Sequence, residues 1–457
     1  MKIIILDVYP FENHRLIKDT AGGYGTGNNF GQSIFAKFLN IFVDRMIGMP
    51  PMFLMYISSI FKKNLENEVI YTRDINDKNI IDSDFVIFST SIIAHETEIK
   101  ALESLKNKKV FITGVFSSVL KDAYKMNNTK IIKNEAETFF FNLEKENNLN
   151  KEYLNKIFEN KDVDELENNF QGDLDELPFP DWKSYVKKYP LRNNFFSISK
   201  NIAIPILATR GCPYSCFNYC TYPLQQGRKV RARSAQNICE EIKFWKKELN
   251  TNKFVFRDPV FSINKKHTIE LCNEIIKQKL NITYLIETHL NNLDDEMINL
   301  LHESGLRMVY VGIESSDSEV LSGISRFTIK SDKQYQIINN CEKKGIAVKT
   351  MFMFGSPDDS EKTIKHTINY AKFLPNKFAQ FSIFTPYPGT PIFKKFESLI
   401  TTKKLEDFNQ YKLVYKHKNF TTESLDKMKS YGYFSYYLNI KKFYQIFLYF
   451  AKSIYAK

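Results

Sequence analysis

Two successive series of short apolar runs, each alternating with helix-patterned segments, predict an α/β chain. A doubly wound parallel sheet comes first, a partial six-strand parallel barrel second, and C-terminal helices last. Five strand-like runs precede residue 146 and six lie between residues 201 and 400. At 457 residues the chain is long enough for two or three cores. Hydrophobic content of 43% and charged content of 25% are those of an ordinary globular protein.

The chain opens MKIIILDVYP and reaches Asp7 after four apolar residues, which suits a first buried strand and is too short for a signal-peptide core. No stretch reaches the roughly eighteen apolar residues needed to span a bilayer. Six cysteines, three of them clustered, do not make a disulfide framework in a chain of this size and point to a reducing, cytoplasmic setting. Net charge is +12, which suits nucleic acid or an anionic membrane surface. Lys, Asn and Ile are abundant throughout and no aromatic-plus-basic motif appears, so a nucleic-acid partner is not expected.

In the first part (1–145), strands are expected at Ile3–Val8, Glu68–Arg73, Asp84–Thr90, Lys109–Gly114 and Thr129–Asn134, with helices at 51–63, 96–106 and 135–146. This is a Rossmann-like pattern, in which ligands sit beyond the carboxyl ends of the strands. Those ends carry Ser91, Gly114 and Glu135. The run Gly22-Gly23-Tyr24-Gly25-Thr26-Gly27 lacks the strand–turn–helix context of a dinucleotide fingerprint and reads as a flexible loop. Residues 38–61 are apolar but broken by Asp44, Arg45, Pro50 and Pro51, which predicts two helices of the domain instead of a membrane span. His14 and His95 read as exposed loop histidines. Residues 146–200 are polar and charge-mixed, ending in Pro-x-Pro and Trp182, as a connector would be.

The second part (201–400) predicts strands at 203–209, 253–258, 282–289, 307–315, 347–355 and 378–386, with helices at 234–248, 264–278, 294–304, 330–344 and 360–374. In TIM-type barrels chemistry gathers at the carboxyl ends of the strands. The first end carries Cys212, Cys216 and Cys220, the second Asp258, the third Glu287, the fourth Gly312, Glu314 and Ser315, the fifth Gly355, and the sixth Pro386. Singly, each has a plain reading as helix cap or turn residue. Together, at six successive strand ends, they read as one site.

Three closely spaced thiols in a loop suit a shared metal site, because thiolate is the soft ligand that zinc and iron–sulfur clusters take. Zinc normally wants a fourth ligand in a second Cys or His pair, and none follows. Three cysteines hold a 4Fe-4S cluster when one iron stays open. A zinc site, or a loop that no longer does chemistry, remains the alternative. Cys239, Cys272 and Cys341 fall on helical stretches and read as buried free thiols.

The segment Thr209-Arg210-Gly211-Cys212-Pro213-Tyr214-Ser215-Cys216, with Tyr219 just before Cys220 and then Tyr-Pro-Leu-x-x-Gly-Arg-x-x-Arg-x-Arg-Ser, resembles the radical S-adenosylmethionine (SAM) enzymes. More narrowly, it resembles the branch with an N-terminal cobalamin-binding domain. The family spacing is three residues and then two; here both gaps are three. The Gly312-Ile313-Glu314-Ser315, Gly355-Ser356-Pro357 and Pro386-Tyr387-Pro388-Gly389-Thr390 segments match the same branch in order, as does Pro50-Pro51 running into a helix. The Asp-x-His-x-x-Gly signature that ligates cobalt is absent.

The resemblance implies a 4Fe-4S cluster on Cys212, Cys216 and Cys220 whose open iron chelates SAM. Asp258, Glu314 and their neighbours would position SAM, and cobalamin would lie across the strand ends of the first domain. The implied reaction is reductive cleavage of SAM to a 5′-deoxyadenosyl radical, most directly for methylation of an unactivated carbon. Cyclisation, oxidation or rearrangement is the alternative enzyme, and a non-catalytic cofactor-binding protein the alternative outside catalysis. The implied partners are a small-molecule or lipid-linked substrate and an electron donor such as flavodoxin or ferredoxin. Residues 401–457 form a C-terminal segment in which Thr421–Lys457 alternates aromatic and basic residues, which suits either helices closing the barrel mouth or an interfacial segment in peripheral contact with a membrane.

Overall fold

The computed structural model describes residues 1–10, 16–27, 30, 31, 34, 36, 37, 47, 48, 50–189, 192, 193 and 202–455. The first sheet comprises β1 (Lys2–Leu6), β2 (Glu68–Thr72), β3 (Phe85–Ser89), β4 (Val110–Thr113), β5 (Thr129–Ile132) and β6 (Glu165–Leu166). All pairings are parallel and the order is β2-β1-β3-β4-β5-β6. Parallel strands buried on both faces need apolar residues at every position, and β3 and β4 (FVIFS and VFIT) are buried throughout. Ile3 and Ile5 of β1 pack with helices α1 (Met52–Lys62) and α3 (Ala136–Lys145), whereas Ile4 and Leu6 pack on the side of α2 (His95–Ser104).

The expected five strands and three helices are present. The second helix expected within 38–61, and His14, lie outside the described residues. His95 begins α2 and its Nδ1 lies 2.8 Å from the Tyr124 hydroxyl, so it is not an exposed loop residue. The segment 146–200 does more than connect. Glu165–Leu166 extends the sheet beside β5, and Trp182 and Tyr185 are buried in the core. A two-residue strand inside the acidic run DVDELE has no periodicity to betray it.

The second sheet comprises β7 (Ala203–Ile206), β8 (Lys253–Phe256), β9 (Thr283–Thr288), β10 (Leu306–Glu314), β11 (Ala347–Phe354) and β12 (Phe378–Ile383). They pair in parallel and in sequence order from β7 to β12. The crossovers run through α4 (Ala235–Leu249), α5 (Lys265–Lys277), α6 (Asp295–Ser304), α7 (Ser331–Lys343) and α8 (Glu361–Phe373). Sequential order with a helix in every crossover gives the partial six-strand barrel that the alternation predicted.

An open barrel leaves the outer edge of β12 with unpaired backbone groups. Helix α9 (Thr422–Tyr437) supplies them from side chains. The Tyr433 hydroxyl accepts from Phe381 N at 3.1 Å and donates to Phe381 O at 2.9 Å; the Tyr437 hydroxyl does the same for Ala379 at 3.2 and 2.7 Å. Two tyrosines one helical turn apart thus match two edge residues two apart on the strand.

Helix α10 (Ile440–Tyr455) does not close the mouth. Its Ile446 and Tyr449 pack on Ala203, Val255, Leu285, Met308, Ala347 and Phe378, near the starts of the six strands. The mouth is taken by the N-terminal domain, and the apolar floor needs cover. The opposite side of α10 leaves Phe443 and Phe447 exposed. Among the described residues, no helix is long and apolar enough to cross a membrane. One continuous apolar core runs through both sheets, including Ile5 and Phe140 of the first and Ile204 and Phe381 of the second.

Candidate active site

The cysteine loop leaves β7 and folds back on itself, with Thr209 and Arg210 paired antiparallel to Ala232 and Arg231. Gly211, at the turn (φ 93°), is a glycine for two reasons: the positive φ, and the Lys229 carbonyl oxygen, which occupies the space a Cβ would need. The Cys212 amide donates to Gly227 O at 3.1 Å. Residues Ser215–Asn218 form a single 3-10 turn, and the amides of Tyr219 and Cys220 both donate to Cys216 O, at 3.1 and 2.9 Å. The extra residue in the second gap is absorbed by this turn.

Asp258, at the end of β8, anchors the root of the loop. Its carboxylate accepts from Ala208 N at 3.2 Å, from the Thr209 hydroxyl at 2.7 Å and from Thr209 N. It is 1% exposed and points at the loop, away from the cavity. Glu241 and Arg233 form a second buried brace, 2.5 Å apart, with Arg233 Nη1 also donating to Leu207 O at 3.0 Å.

A cavity of about 380 Å³ opens at the carboxyl ends of the barrel strands, and Cys212, Cys216 and Cys220 all line it. Tyr219, Glu287, Gly312 and Glu314 line it too. Glu314 holds a positive φ of 65°, an uncommon conformation for a non-glycine residue. Arg326, which the sequence reading missed, reaches in beside it: its Nη2 donates to Gly312 O at 2.8 Å and lies 3.6 Å from Glu314 Oε1. Burial pushes the Glu314 carboxyl up, against the pull of Arg326. His289 stacks on Phe327, and burial with the Arg326 charge pushes its imidazole down to about 4, so it is neutral at physiological pH.

The thiols are not equivalent. A hydrogen bond from Cys220 and the nearby Arg326 draw Cys216 down to about 7, whereas Cys220 is pushed well up by that same bond and by burial. Cys212 is raised by burial. Cys239, Cys272 and Cys341 are buried in α4, α5 and α7, away from the cavity, as the sequence suggested. Among the described residues the cavity wall therefore carries three thiols and no fourth cysteine, the donor set of a 4Fe-4S cluster with one open iron.

Three other expected residues sit behind the wall. Ser315 is buried, its hydroxyl 3.2 Å from that of Thr367. The Gly355 carbonyl accepts from the Tyr415 hydroxyl at 2.7 Å. Pro386 is buried between Thr385 and Tyr387, which both line the cavity.

The first domain meets the barrel strand end to strand end. Glu135, from the end of β5, lies 3.0 Å from Arg210 and 2.9 Å from Arg231, and Glu137 lies 2.7 Å from Arg210. Arg257 bonds Asp19 at 3.2 Å and lies 3.8 Å from Glu287. Ser91 donates its amide and hydroxyl to Glu98, each at 3.0 Å. Gly114 and Glu135 line a second space of only about 50 Å³.

Residues 16–27 lie between the first sheet and the cavity. The glycine run expected to be flexible is a tight turn: Gly25 N donates to Thr20 O at 3.0 Å and Ile92 N to Tyr24 O at 3.0 Å. At Gly22 a Cβ would come within 2.5 Å of the Thr221 carbonyl carbon, so only glycine lets this turn touch the cysteine loop. Lys18 is fully buried, 3.1 Å from Asp7 and 2.8 Å from Glu98. Among the described residues, Lys18 and Tyr24 lie over the end of β3, where Lys18 Nζ donates to Ser89 O at 3.5 Å and Ile92 N to Tyr24 O at 3.0 Å.

Residues 206–371 match the family model described as Radical SAM superfamily. An uncharacterized methyltransferase of Pyrococcus horikoshii is 29% identical over 271 residues, covering 59% of this chain and 57% of that one. The bacteriochlorophyllide d C-12(1)-methyltransferase of Chlorobaculum tepidum is 26% identical over 323 residues, covering 70% and 67%. Among solved structures, the fold is similar to that of the radical SAM methyltransferase TsrM from Kitasatospora setae (TM-score 0.58, 14% identity, covering 87% and 78%). It is also similar to the radical enzyme OxsB (TM-score 0.64, 14% identity, covering 93% and 65%). Residues 206–371 thus carry a radical SAM domain, and the fold of the chain, with a Rossmann-like domain before the barrel, is similar to those of TsrM and OxsB.

Proposed function

We propose that this protein is a radical SAM enzyme that methylates a carbon of a small-molecule substrate. The observation that carries the reading is the convergence of Cys212, Cys216 and Cys220, with no other cysteine, on the cavity at the barrel mouth. Cys212, Cys216 and Cys220 would hold the cluster, which when bound supplies the electron that cleaves SAM. Arg326, the Gly312 carbonyl and Glu314 offer donor, acceptor and charge for the polar groups of SAM. Asp258 keeps the loop root fixed so that the three sulfurs stay in register. The N-terminal domain and residues 16–27 roof the cavity and exclude water, as radical chemistry requires.

Methyl transfer is favoured over cyclisation or oxidation because the relatives matching 59% and 70% of this chain are named methyltransferases. Cobalamin is bound in the solved structures of TsrM and OxsB. In this chain a corrinoid would reach the first sheet only after residues 16–27 leave the strand ends. The unpaired cysteines suit a reducing cytoplasm, and a flavodoxin- or ferredoxin-class donor would supply the electron.

The test is anaerobic reconstitution of the full chain with iron, sulfide and cobalamin, followed by metal analysis and a SAM-cleavage assay. About four irons per chain and 5′-deoxyadenosine on reduction support the reading. Iron bound without SAM cleavage under any reductant sinks it. One cobalt per chain, with faster hydrogen exchange at the Ile92 amide, supports cobalamin entry beneath residues 16–27. No cobalt removes cobalamin from the reading.

A further inference from the structure

We infer that the substrate carries an anionic head group, carboxylate or phosphate, which Lys349 receives deep in the barrel lumen. The inference deepens the proposed reading, since it concerns the same cavity. Lys349 is the third residue of β11, and it lines the cavity together with Met351 and Met353, the next inward positions on that strand. Its neighbours at the same level are Tyr310 on β10 and Phe378 on β12, paired with it in register. The lumen at this depth is therefore aromatic, with the Lys349 ammonium on one side of Tyr310 and the Glu287 carboxylate on the other, and Met351 and Met353 lie nearer the cysteine end.

Among the described residues nothing neutralises the ammonium charge by contact: no carboxylate lies within 4 Å of Lys349 Nζ, which instead sits 4.5 Å from the centre of the Tyr310 ring. The nearest acidic group acting on it is Glu287, one strand beyond Tyr310, and Glu287 lies beside Arg257. An aromatic face is a weak counterpart for an ammonium group confined in a barrel lumen, and leaves it free to take an anion. Burial accordingly pulls the Lys349 amine down to about 8, in spite of Glu287. The buried lysines among the described residues differ: Lys18 pairs with two carboxylates, Lys429 with Asp426, Lys130 donates to the Asn160 carbonyl, and Lys442 to the Leu374 and Asn376 carbonyls. Those are satisfied within the fold; Lys349, partly exposed, faces the cavity.

The position also sets the substrate's shape. From Lys349 to Met353, the last cavity-lining residue of β11, is four residues, or about 13 Å along a strand. A ligand reaching from the cysteine end toward Lys349 is elongated, with an apolar body lying along Met351, Met353 and Tyr310 and its anion at the inner end.

The experiment uses the full chain, cluster-loaded and with SAM but without reductant. Binding of octanoate, octyl phosphate and the neutral 1-octanol is measured by calorimetry. The expected result is at least tenfold tighter binding of one or both anions than of octanol. Lys349→Met should lose that preference while still binding octanol, and Lys349→Arg should keep it. Preference for octanoate alone identifies a carboxylate, and for octyl phosphate alone a phosphate. Equal binding of all three probes by the wild type overturns the inference, and so does an anion preference that survives in Lys349→Met. If the methionine variant does not fold, Lys349→Gln replaces it, and the wild-type comparison with octanol decides by itself. SAM cleavage by the wild type is scored separately, so the radical reading fails or stands without touching the anion result.

Discussion

Replacing Arg210 with Met removes the one guanidinium among the described residues that Glu135 and Glu137 share, at the contact between the two domains. In the wild type Arg210 lies 3.0 Å from Glu135 and 2.7 Å from Glu137, all three side chains are no more than 5% exposed, and the guanidinium sits 5.2 Å from the Tyr56 ring centre. Methionine fills most of the volume and none of the charge. Glu135 keeps Arg231; Glu137 is left with none of the charged partners described here. Breaking a buried ion pair by deleting one partner costs about 3–5 kcal/mol. For a chain of 457 residues, an unfolding entropy of about 2.1 cal/mol/K per residue converts this to a Tm about 3–5 °C lower.

The loss depends on pH with a definite sign. Burial already holds the Glu137 carboxyl above its ordinary value, with Arg210 the largest opposing influence. Without Arg210 its folded pKa rises further, so at neutral pH the folded variant binds more protons than the unfolded chain. Its stability therefore rises as pH falls toward the ordinary carboxyl value. Thermal melting of both proteins at pH 8 and pH 5.5 should show the larger gap at pH 8. A variant as stable as the wild type at pH 8, or a gap of equal size at both values, would refute the account of a charge-matched interface.

Cys212→Ala, Cys216→Ala and Cys220→Ala should each lower bound iron and reduce 5′-deoxyadenosine formation to background, read by metal analysis and chromatography. Tyr433→Phe leaves both Phe381 backbone groups without their partner, a loss of about 1–3 kcal/mol, with faster exchange at the Phe381 amide the local signature. Lys18→Met leaves Asp7 and Glu98 buried and unpaired. At about 3–5 kcal/mol, it should speed exchange of the Ile92 amide about a hundredfold or more, and unchanged protection there would show that Lys18 does not pin residues 16–27.

The strand and helix alternation was legible because buried parallel strands and amphipathic crossovers write period and length directly into sequence. All six barrel strands and five crossover helices fall where the pattern put them, within a few residues at each end. The cysteine site was legible because its ligands are close in sequence. Arg326 and Lys349 were not, because each reaches the cavity from the middle of an unremarkable stretch, and a lone basic residue carries no spacing signal. Asp258 was found for its position at a strand end, yet its carboxylate turns toward Thr209; which way a side chain turns there depends on the donors the fold brings near. The destination of α10 was hidden for another reason. An aromatic-rich helix suits a barrel floor and a barrel mouth equally until the neighbouring domain has claimed one of them.

The continuous core through both sheets has a practical consequence for how this protein is handled and how it diverges. Ile5 and Phe140 belong to one apolar mass with Ile204 and Phe381. Cutting the gene between the domains would expose apolar surface on both fragments and leave Arg210 and Glu135 facing solvent across the cut. The halves are then poor candidates for separate expression or for exchange with halves of other chains. Residues on either side must stay complementary for the shared core to close, so a substitution in one sheet is felt in the packing of the other.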